Sequence, residues 1–580
     1  MIPESRSNVN VNFIVTRAQF QGGNAVIGSP TDTAGESANQ AGKIAHLLLI
    51  GSICLVLYLA GNGQISLWDR DEPRYAQAAR EMLQSGNFIV PTFNAEPRFH
   101  KPVLIYWLMA MGYSLFGDNE FGARFCSAVA GTITCLLTYR LGTRLGGRAV
   151  GLAAGLMLAV SPLMIVESKL ATTDAVLTAT LLGAMSCVWD LHVEGFSWSR
   201  SLGLWTLLGI AVLTKGPIGL GTIATALLTW FLLSRQAAVL RRMNWAAGLA
   251  VFAAVVLPWG IAVYRATGGE FYREAISGHV LAHALTPMEH HGGFPGYYLV
   301  MAMTGLFPWS LGLPLAVRGV RQWARQDGAG SFLLGWMIGP LLLLELMRTK
   351  LPHYYLPAFP AWAVLFARGL VGSYALGERL AGSRRGLLRV AGLATVCVVA
   401  ACSLATLAVG WGPRELLGPA ILVAVLLGVG TIVAAVLFLR ARDFAGWATL
   451  VSTWGALGLV TFGWLAPRAE VCRVARVAAQ ELRARATEGM PAVLHNFREP
   501  SLVFYLGGPV PIVPSTTELV RLVREHGPVL TLLQAEEPTK LQNQPAIHVE
   551  ICQRIEPRKI GPRPAKAIVV ARLSRSRIRE

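Results

Sequence analysis

Long apolar runs alternate with short polar loops along most of this chain. Runs of about 20 apolar residues are needed to cross a bilayer, and such runs recur from residue 44 to residue 466. We predict about thirteen spans on this basis, at 44–61, 121–140, 148–165, 174–191, 201–214, 216–234, 244–264, 296–318, 330–347, 352–371, 388–410, 417–440 and 444–466. The pattern therefore predicts an all-α polytopic membrane bundle.

The segment 102–116 is apolar but short, and its place decides the orientation of the whole bundle. If it crossed the membrane, the arginine-rich loops that follow it would face outward, against the positive-inside rule. We therefore predict a juxtamembrane or re-entrant helix on the outer side, within an outer loop that covers residues 62–120. The N-terminus is then cytoplasmic.

The two ends of the chain differ in character from the bundle. Residues 1–43 are rich in Ser, Asn, Gln, Gly and Thr and are predicted to form a disordered cytoplasmic tail. The transmembrane domain covers 44–466. Short apolar strands alternate with helices over 467–580, which is typical of a small α/β domain, here on the periplasmic side. A disulfide between Cys472 and Cys552 in this domain is a hypothesis.

Composition agrees with a membrane protein. Only 14% of residues are charged, against about 25% in soluble proteins. The net charge of +18 comes largely from arginines in short loops, where the positive-inside rule places them. Because no RNA- or DNA-binding motif accompanies this charge, we predict no nucleic-acid binding.

The first outer loop carries an unusual density of charge directly after the first span. Asp71-Glu72-Pro73 is typical of a helix start with Asp71 as N-cap, and Arg74 follows it. A solvated loop that only connects two spans is the alternative. The predicted helix would turn these apolar side chains to one side: Tyr75, Ala78, Ala79, Met82 and Leu83.

A second acid, Asp174, begins the fourth predicted span. An ordinary N-cap explains an aspartate before an apolar run. The functional hypothesis is that Asp71 and Asp174 meet at the outer face of the bundle. Both interpretations can hold together, because a cap position also fixes the carboxylate.

Cationic side chains recur at the same predicted level. Phosphate recognition needs fixed positive charge and hydrogen-bond donors. Each of these residues alone is explained by snorkelling at the end of a span. Their joint occurrence on the outer side, where positive charge is disfavoured, indicates a site for a lipid-phosphate head group. They are Lys101, Lys215, Arg273, Arg348 and Lys350.

Histidines in the outer loops suggest a divalent metal site, with His100, His279 and His283 as the candidate ligands. Tight ligand spacing such as HExxH does not occur, and ordinary polar loop histidines are the alternative. The sequence requires no cofactor.

Five segments together resemble the GT-C glycosyltransferases, in the branch of the bacterial lipid A aminoarabinose transferases and the protein O-mannosyltransferases. The segments are DEPRYA at 71–76, RFHKPVLIYWL at 98–108, ESKLATTD ending at Asp174, TKGP at 214–217 and KLPHYYLPAFPA at 350–361.

The resemblance implies an inverting transfer of 4-amino-4-deoxy-L-arabinose from undecaprenyl phosphate to a lipid A phosphate, on the periplasmic side of the bacterial inner membrane. It implies Asp71 and Asp174 as essential carboxylates, with Glu72 beside them. We predict the substrate-binding residues Arg74, Tyr75, Lys101, Lys215, Lys350, His353, Tyr354 and Tyr355. The aminoarabinose transferases often have an acidic residue before Lys-Pro, and here that residue is His100.

Two alternatives remain open at this point. One is transfer of another sugar, such as mannose, to protein hydroxyls or to another surface glycan. The other is a lipid or solute transporter, which would carry polar residues at mid-membrane and often two related halves. The predicted spans are mostly clean and show no duplicated half, which favours the enzyme.

Overall fold

The structure is a computed structural model. It describes residues 30–68, 71–235, 237–275, 292–326, 328–375, 413–440, 442–487, 490–496, 499–542, 544, 547–558 and 567–576. The predicted span 388–410 lies outside the described residues, and so do His279 and His283. Two compact units, residues 1–46 and residues 47–580, divide the chain.

Helices form most of the described chain. The α-helices of the membrane part and its outer loop are Pro30–Leu59, Asp71–Ser85, Leu104–Phe116, Glu120–Gly146, Arg148–Ala159, Pro162–Lys169, Asp174–Glu194, Trp198–Lys215, Ile218–Ser234, Ala238–Arg242, Trp245–Thr267, Glu270–Arg273, Tyr297–Gly305, Leu313–Gln326, Ala329–Leu346, Phe359–Ala375, Arg414–Leu439 and Asp443–Val460. Shorter elements are the 3-10 helices Trp309–Gly312, Pro352–Ala358 and Ala469–Cys472, the π-helix Thr461–Leu465 and the α-helix Ala466–Arg468.

Eight of the helices in the described part are long and apolar enough to cross a membrane, or up to ten if each of two bent pairs is one span. The two bent pairs are Arg148–Ala159 with Pro162–Lys169, and Tyr297–Gly305 with Trp309–Val317. Every predicted span other than 388–410 overlaps a helix. The first helix begins at Pro30, inside the segment predicted as a tail.

Small residues let neighbouring membrane helices approach closely, as is usual where no water drives their association. Ile218–Ser234 packs on Ala329–Leu346 in this way. A Cβ on Gly339 would overlap the carbonyl oxygen of Thr225, and one on Gly335 would overlap Trp230. This pair of helices forms one wall of the cavity described below.

The outer loop is built from the helix Asp71–Ser85, called the Asp71 helix below, the β1–β2 hairpin (Thr92–Phe93 and Glu96–Pro97) and the helix Leu104–Phe116. The thirteen residues of Leu104–Phe116 rise only about 20 Å, less than the hydrocarbon thickness. The Asp71 helix starts at Asp71 as its first helical residue. Of the apolar side chains predicted on one side of this helix, Leu83 is exposed, whereas the side chain of Arg80 is buried.

The C-terminal region is a small α/β domain, as predicted. Its five-stranded sheet has the order β4-β3-β5-β7-β6, with β3 parallel to β4 and β5, and β7 antiparallel to β5 and β6. The strands are β3 (Ala492–His495), β4 (Ile512–Val513), β5 (Val529–Gln534), β6 (Ile547–Ile555) and β7 (Ile568–Arg575), and the helices are Ala475–Arg485, Pro500–Leu506, Thr516–His526 and Glu537–Gln542. The short apolar runs AVLHNF, PVPIV, PVLTLL and KAIVVARL predict β3, β4, β5 and β7, whereas no such run marks β6.

The hypothesis of a disulfide in this domain is wrong for the structure, because Cys472 and Cys552 are both free thiols. Cys552 lies at a register shift of β6 and points its thiol at the carbonyl of Glu550, 3.9 Å away. Cys472 ends a 3-10 turn that connects the last membrane helix to the domain.

Candidate active site

The helix Asp174–Glu194, called the Asp174 helix below, places its first carboxylate in a buried ion pair. Thr173 is the N-cap, so Asp174 is the first helical residue rather than the cap itself. The ammonium of Lys215, at the end of Trp198–Lys215, donates to Asp174 Oδ1 at 2.5 Å. Both side chains are less than one-tenth exposed. A carboxylate and a cation predicted separately from the sequence therefore form one charge pair.

His353 joins a second acid to this pair. Its Nε2 lies 3.8 Å from Asp174 Oδ2, and its Nδ1 lies 3.5 Å from Glu167 Oε1. The ring of Tyr354, the next residue, lies 4.5 Å from the ammonium of Lys215. The segment 353–354 therefore lies against the Asp174–Lys215 pair.

Lys101 lies beside the same pair. Burial and the positive charges of Lys215 and Arg98 lower the pKa of its ammonium to about 8, while the negative charges of Asp174 and Asp71 act in the opposite direction. An anion bound beside this lysine would favour its charged form and raise its pKa.

Tyr75 connects the two aspartates electrostatically. Burial raises the pKa of its hydroxyl well above the ordinary value; the negative charges of Asp71 and Asp174 add to this, and Arg98 opposes them. The guanidinium of Arg98 lies 5.5 Å from the Tyr75 ring. Asp71 and Asp174 both act on Tyr75 and on Lys101, so the two predicted carboxylates lie within electrostatic reach of the same two side chains.

Asp71 and Glu72 have opposite surroundings although they are neighbours in sequence. The side chain of Asp71 is 58% exposed and lies 4.0 Å from a nitrogen of Arg74. Glu72 is buried and accepts two hydrogen bonds from Arg124, at 2.8 and 2.7 Å. It also accepts the backbone N–H of Ala171 at 2.6 Å. Asp71 is thus open to a substrate, whereas the lone pairs of Glu72 are taken by the protein.

Two further predicted residues lie in other networks. Lys350 forms an ion pair with Glu345 and donates to the carbonyl of Phe294 at 3.3 Å. Tyr355 is buried and donates to the carbonyl of Met337 at 2.6 Å. The structure therefore brings Tyr354, but not Tyr355, to the Lys215 ammonium.

A cavity of about 540 Å³ opens beside the lysines. Lys101, Lys215 and Tyr354 line it together with His100, and the rest of its wall is mostly apolar. The apolar lining includes Leu213, Val256, Trp259, Phe271 and Leu343. This volume is typical of a ligand site, and the combination of apolar walls with two lysines suits a molecule with a hydrocarbon chain and an anionic head.

Of the candidate metal ligands, His100 is among the described residues and lines this cavity. The described parts of the chain contain no group of three or more His, Cys, Asp or Glu side chains arranged to hold a metal ion. The metal site therefore stays a prediction.

Three residues of the site were not singled out from the sequence. Arg124 lies inside the predicted span 121–140, and Glu167 lies just after the predicted span 148–165; a buried charge at such a place is itself a functional signal. Arg98 belongs to the RFHKP segment, and its Nε is buried without a hydrogen-bond partner among the described residues. The signal that could have found them is their charge inside or directly beside an apolar segment.

Known proteins with a similar sequence or fold are membrane glycosyltransferases. The sequence model of the dolichyl-phosphate-mannose-protein mannosyltransferase family matches residues 100–261. Among solved structures, the fold is similar to that of ArnT from Cupriavidus metallidurans bound to undecaprenyl phosphate. The TM-score is 0.76 over 90% of this chain and 97% of that chain, at 22% identity.

Curated relatives are more similar in sequence. An undecaprenyl phosphate-alpha-4-amino-4-deoxy-L-arabinose arabinosyl transferase of Erwinia tasmaniensis is 31% identical over 376 residues, which cover 63% of this chain and 66% of the relative. The enzyme of the same description from Edwardsiella ictaluri is 31% identical over 70% of this chain and 74% of its own length. The chain is a multi-pass membrane protein, and it belongs to the family of these arabinosyl transferases, which are membrane glycosyltransferases of the GT-C fold.

Proposed function

We propose that this enzyme transfers 4-amino-4-deoxy-L-arabinose from undecaprenyl phosphate to a phosphate of lipid A. The observation that carries the proposal is the apolar cavity lined by Lys101 and Lys215, next to the carboxylates of Asp71 and Asp174. A polyprenyl chain would occupy the apolar part, and its phosphate would meet the two ammonium groups. The names of the relatives support the sugar and the carrier.

The reaction forms a bond from an acceptor oxygen to the anomeric carbon and breaks the bond from that carbon to the carrier phosphate. The phosphate leaves with the electron pair, and the anomeric configuration inverts. Positive charge that develops on the sugar is stabilised by a carboxylate, and negative charge on the leaving phosphate is stabilised by cations. We assign the second role to Lys101 and Lys215.

The exposed carboxylate of Asp71 is assigned to the acceptor side. A phosphate acceptor is already a nucleophile, so that Asp71 would only orient it. A hydroxyl acceptor would need Asp71 as general base. Asp174 is held by Lys215 and is assigned to the donor side, where Tyr354 and His353 complete the wall.

A second acceptor class is favoured by one observation, the match of residues 100–261 to the mannosyltransferase family. In that case the sugar would be mannose and the acceptor a protein hydroxyl. The first proposal is preferred because the arabinosyl transferases match more of the chain.

For the topology, we propose about thirteen spans, a cytoplasmic N-terminus and a C-terminal domain in the periplasm. The site then opens to the periplasm, where the acceptor is. We propose the bacterial inner membrane as its location. The arginines of the loops between later spans, such as Arg235, Arg241 and Arg242, support this orientation through the positive-inside rule.

The test is a transfer assay with purified protein. Polyprenyl phosphates carrying aminoarabinose or mannose are offered with lipid A or a serine-containing peptide, and products are identified by mass spectrometry. We expect aminoarabinosyl lipid A from the wild type and at least a ~100-fold lower rate from Asp71→Asn. The control is Glu550→Gln, which removes an exposed carboxylate of the C-terminal domain.

Two outcomes would reject the proposal: transfer at the normal rate by Asp71→Asn, or movement of an intact lipid across vesicles without any transfer, as a transporter would give. The same assay with a chelator tests the metal. Loss of activity that added Zn²⁺ or Mn²⁺ restores would support a site that includes His100, His279 and His283.

A further inference from the structure

The C-terminal domain contacts the Asp71 helix directly, through the end of its helix Pro500–Leu506. The guanidinium of Arg80 donates to the carbonyl of Phe504 at 2.5 Å and lies 3.9 Å from the centre of the Phe504 ring. The same guanidinium donates to Asp118 at 2.5 Å. Arg80 is buried, so the polar side of the Asp71 helix is covered by the domain rather than by water.

The residue after Phe504 holds the chain that leads into the Asp71 helix. The hydroxyl of Tyr505 accepts the backbone N–H of Leu67 at 2.8 Å and donates to Glu120 at 3.0 Å. Leu67 is 2% exposed, so water cannot replace this hydrogen bond. Glu120 is also ion-paired with Arg476 of the same domain.

Another residue of the domain holds the position just before Leu67. One guanidinium nitrogen of Arg473 donates to the carbonyl and to the hydroxyl of Ser66, at 2.9 and 3.0 Å. The guanidinium also lies 4.3 Å from the centre of the Trp68 ring. The segment before Asp71 is therefore held at consecutive residues.

The C-terminal domain also contacts the hairpin that precedes Lys101. Asn94 and Val510 exchange two hydrogen bonds: the Asn94 amide donates to the Val510 carbonyl at 3.0 Å, and the Val510 N–H donates to Asn94 Oδ1 at 2.7 Å. The backbone of Asn94 in turn donates to Glu81 of the Asp71 helix at 2.8 Å.

We propose that the C-terminal domain is a positioning element for Asp71, and we call the group Arg80, Ser66, Leu67, Arg473, Phe504 and Tyr505 the domain clamp. The proposal rests on the proposed function, since it assumes that Asp71 acts on the acceptor.

The clamp acts on the acceptor side of the site only. The cavity of Lys101 and Lys215 is lined by residues of the membrane helices and of 99–102, and none of its lining residues comes from the C-terminal domain within the described part of the chain.

Kinetic measurements distinguish the domain clamp from two other roles that such a domain could have. A domain that only covered the site would change the access of substrates and not the turnover rate. A domain that bound the acceptor would change the KM for the acceptor. A positioning element changes kcat, because a small displacement of Asp71 costs between about tenfold and a hundredfold in rate.

The test is Tyr505→Phe, which keeps the ring and removes the hydroxyl that holds Leu67. We expect kcat to fall about tenfold or more, while the Kd for polyprenyl phosphate stays within about twofold of the wild type. Hydrogen exchange of the amides in 71–85 should become about tenfold faster, with 174–194 unchanged. Arg473→Gln, which releases Ser66, should act in the same direction and serves if Tyr505→Phe does not fold.

The matched control is Arg521→Gln, an exposed arginine of the same domain outside the clamp, which should leave kcat and exchange unchanged. An unchanged kcat in Tyr505→Phe overturns the proposal, and so does a higher acceptor KM with unchanged exchange. If the wild type transfers no sugar, the proposed function fails, and the exchange measurement still decides the clamp: unchanged exchange in 71–85 overturns it.

Discussion

The carboxylate of Glu72 lies between Arg124 and the backbone of Ala171, and through these contacts it ties one candidate catalytic carboxylate to the other. Arg124 donates to both of its oxygens, at 2.8 and 2.7 Å, and Ala171 N–H donates at 2.6 Å. Glu72 follows Asp71 directly, and Ala171 is three residues before Asp174. The segment before Asp174 is therefore held against the start of the Asp71 helix by a buried hydrogen bond from Ala171 to Glu72.

We expect Glu72→Gln to destabilise the protein strongly. The substitution leaves the buried Arg124 without its counter-charge, and breaking one partner of a buried pair costs about 3–5 kcal/mol. Thermal unfolding in detergent measures the effect. Glu525→Gln, which breaks an exposed ion pair with Arg521, is the comparison and should change stability by less than about 1 kcal/mol. Equal effects of the two substitutions would contradict the structural role of Glu72.

Lys215 and Lys350 should respond differently to the same substitution. Lys215→Met removes a cation from the cavity and leaves Asp174 unpaired, so we expect at least ~10-fold weaker binding of polyprenyl phosphate. Lys350→Met breaks the pair with Glu345 and should reduce stability while it changes the Kd by less than about threefold. Binding to detergent-solubilised protein gives both values. Equal losses of affinity would place Lys350 in the phosphate site after all.

The affinity for polyprenyl phosphate should depend on pH through Lys101. Its pKa is about 8 in the empty site, so the ammonium loses its proton as the pH rises through that value. We expect the Kd to rise about tenfold per pH unit above about 8, and also to rise below about 6, where the phosphate gains a proton. Titrations between pH 5 and pH 10 test this dependence.

The control for this titration is Lys101→Arg, because a guanidinium keeps its charge over the whole range. Its affinity should stay level between about pH 7 and pH 10. An alkaline limb that is the same in Lys101→Arg and in the wild type would show that another group titrates.

The adjacent tyrosines Tyr354 and Tyr355 should separate stability from binding. Tyr355→Phe removes the donor to Met337 and the acceptor of Trp362 Nε1 in the buried bundle, and we expect a loss of about 1–3 kcal/mol. Tyr354→Phe keeps the ring beside Lys215, so we expect the Kd for polyprenyl phosphate to stay within about threefold of the wild type. Unfolding midpoints of Tyr355→Phe and binding titrations of Tyr354→Phe test the two statements, and a Tyr355→Phe midpoint equal to that of the wild type would contradict the structural role of Tyr355.

Much of the fold could be predicted from sequence because its signals are local. Apolar length marked the membrane helices, and short apolar runs marked four of the five C-terminal strands. Asp71-Glu72-Pro73 marked the start of a helix to within one residue. The family resemblance is also confirmed. It could be found from the sequence because it depends on short contiguous segments such as DEPRYA and TKGP. The strand β6 was missed because its exposed and buried positions do not alternate through the register shift after Ile551.

The sequence by itself determined the membrane class, the family and the set of charged residues from which the site is made. Only the tertiary structure decided how these charges pair: Asp174 with Lys215, Glu72 with Arg124, Lys350 with Glu345. Pairing depends on contacts between helices far apart in the chain, and no local pattern encodes which cation a carboxylate meets. For the same reason, only the folded chain shows that Asp71 is left open while Glu72 beside it is buried.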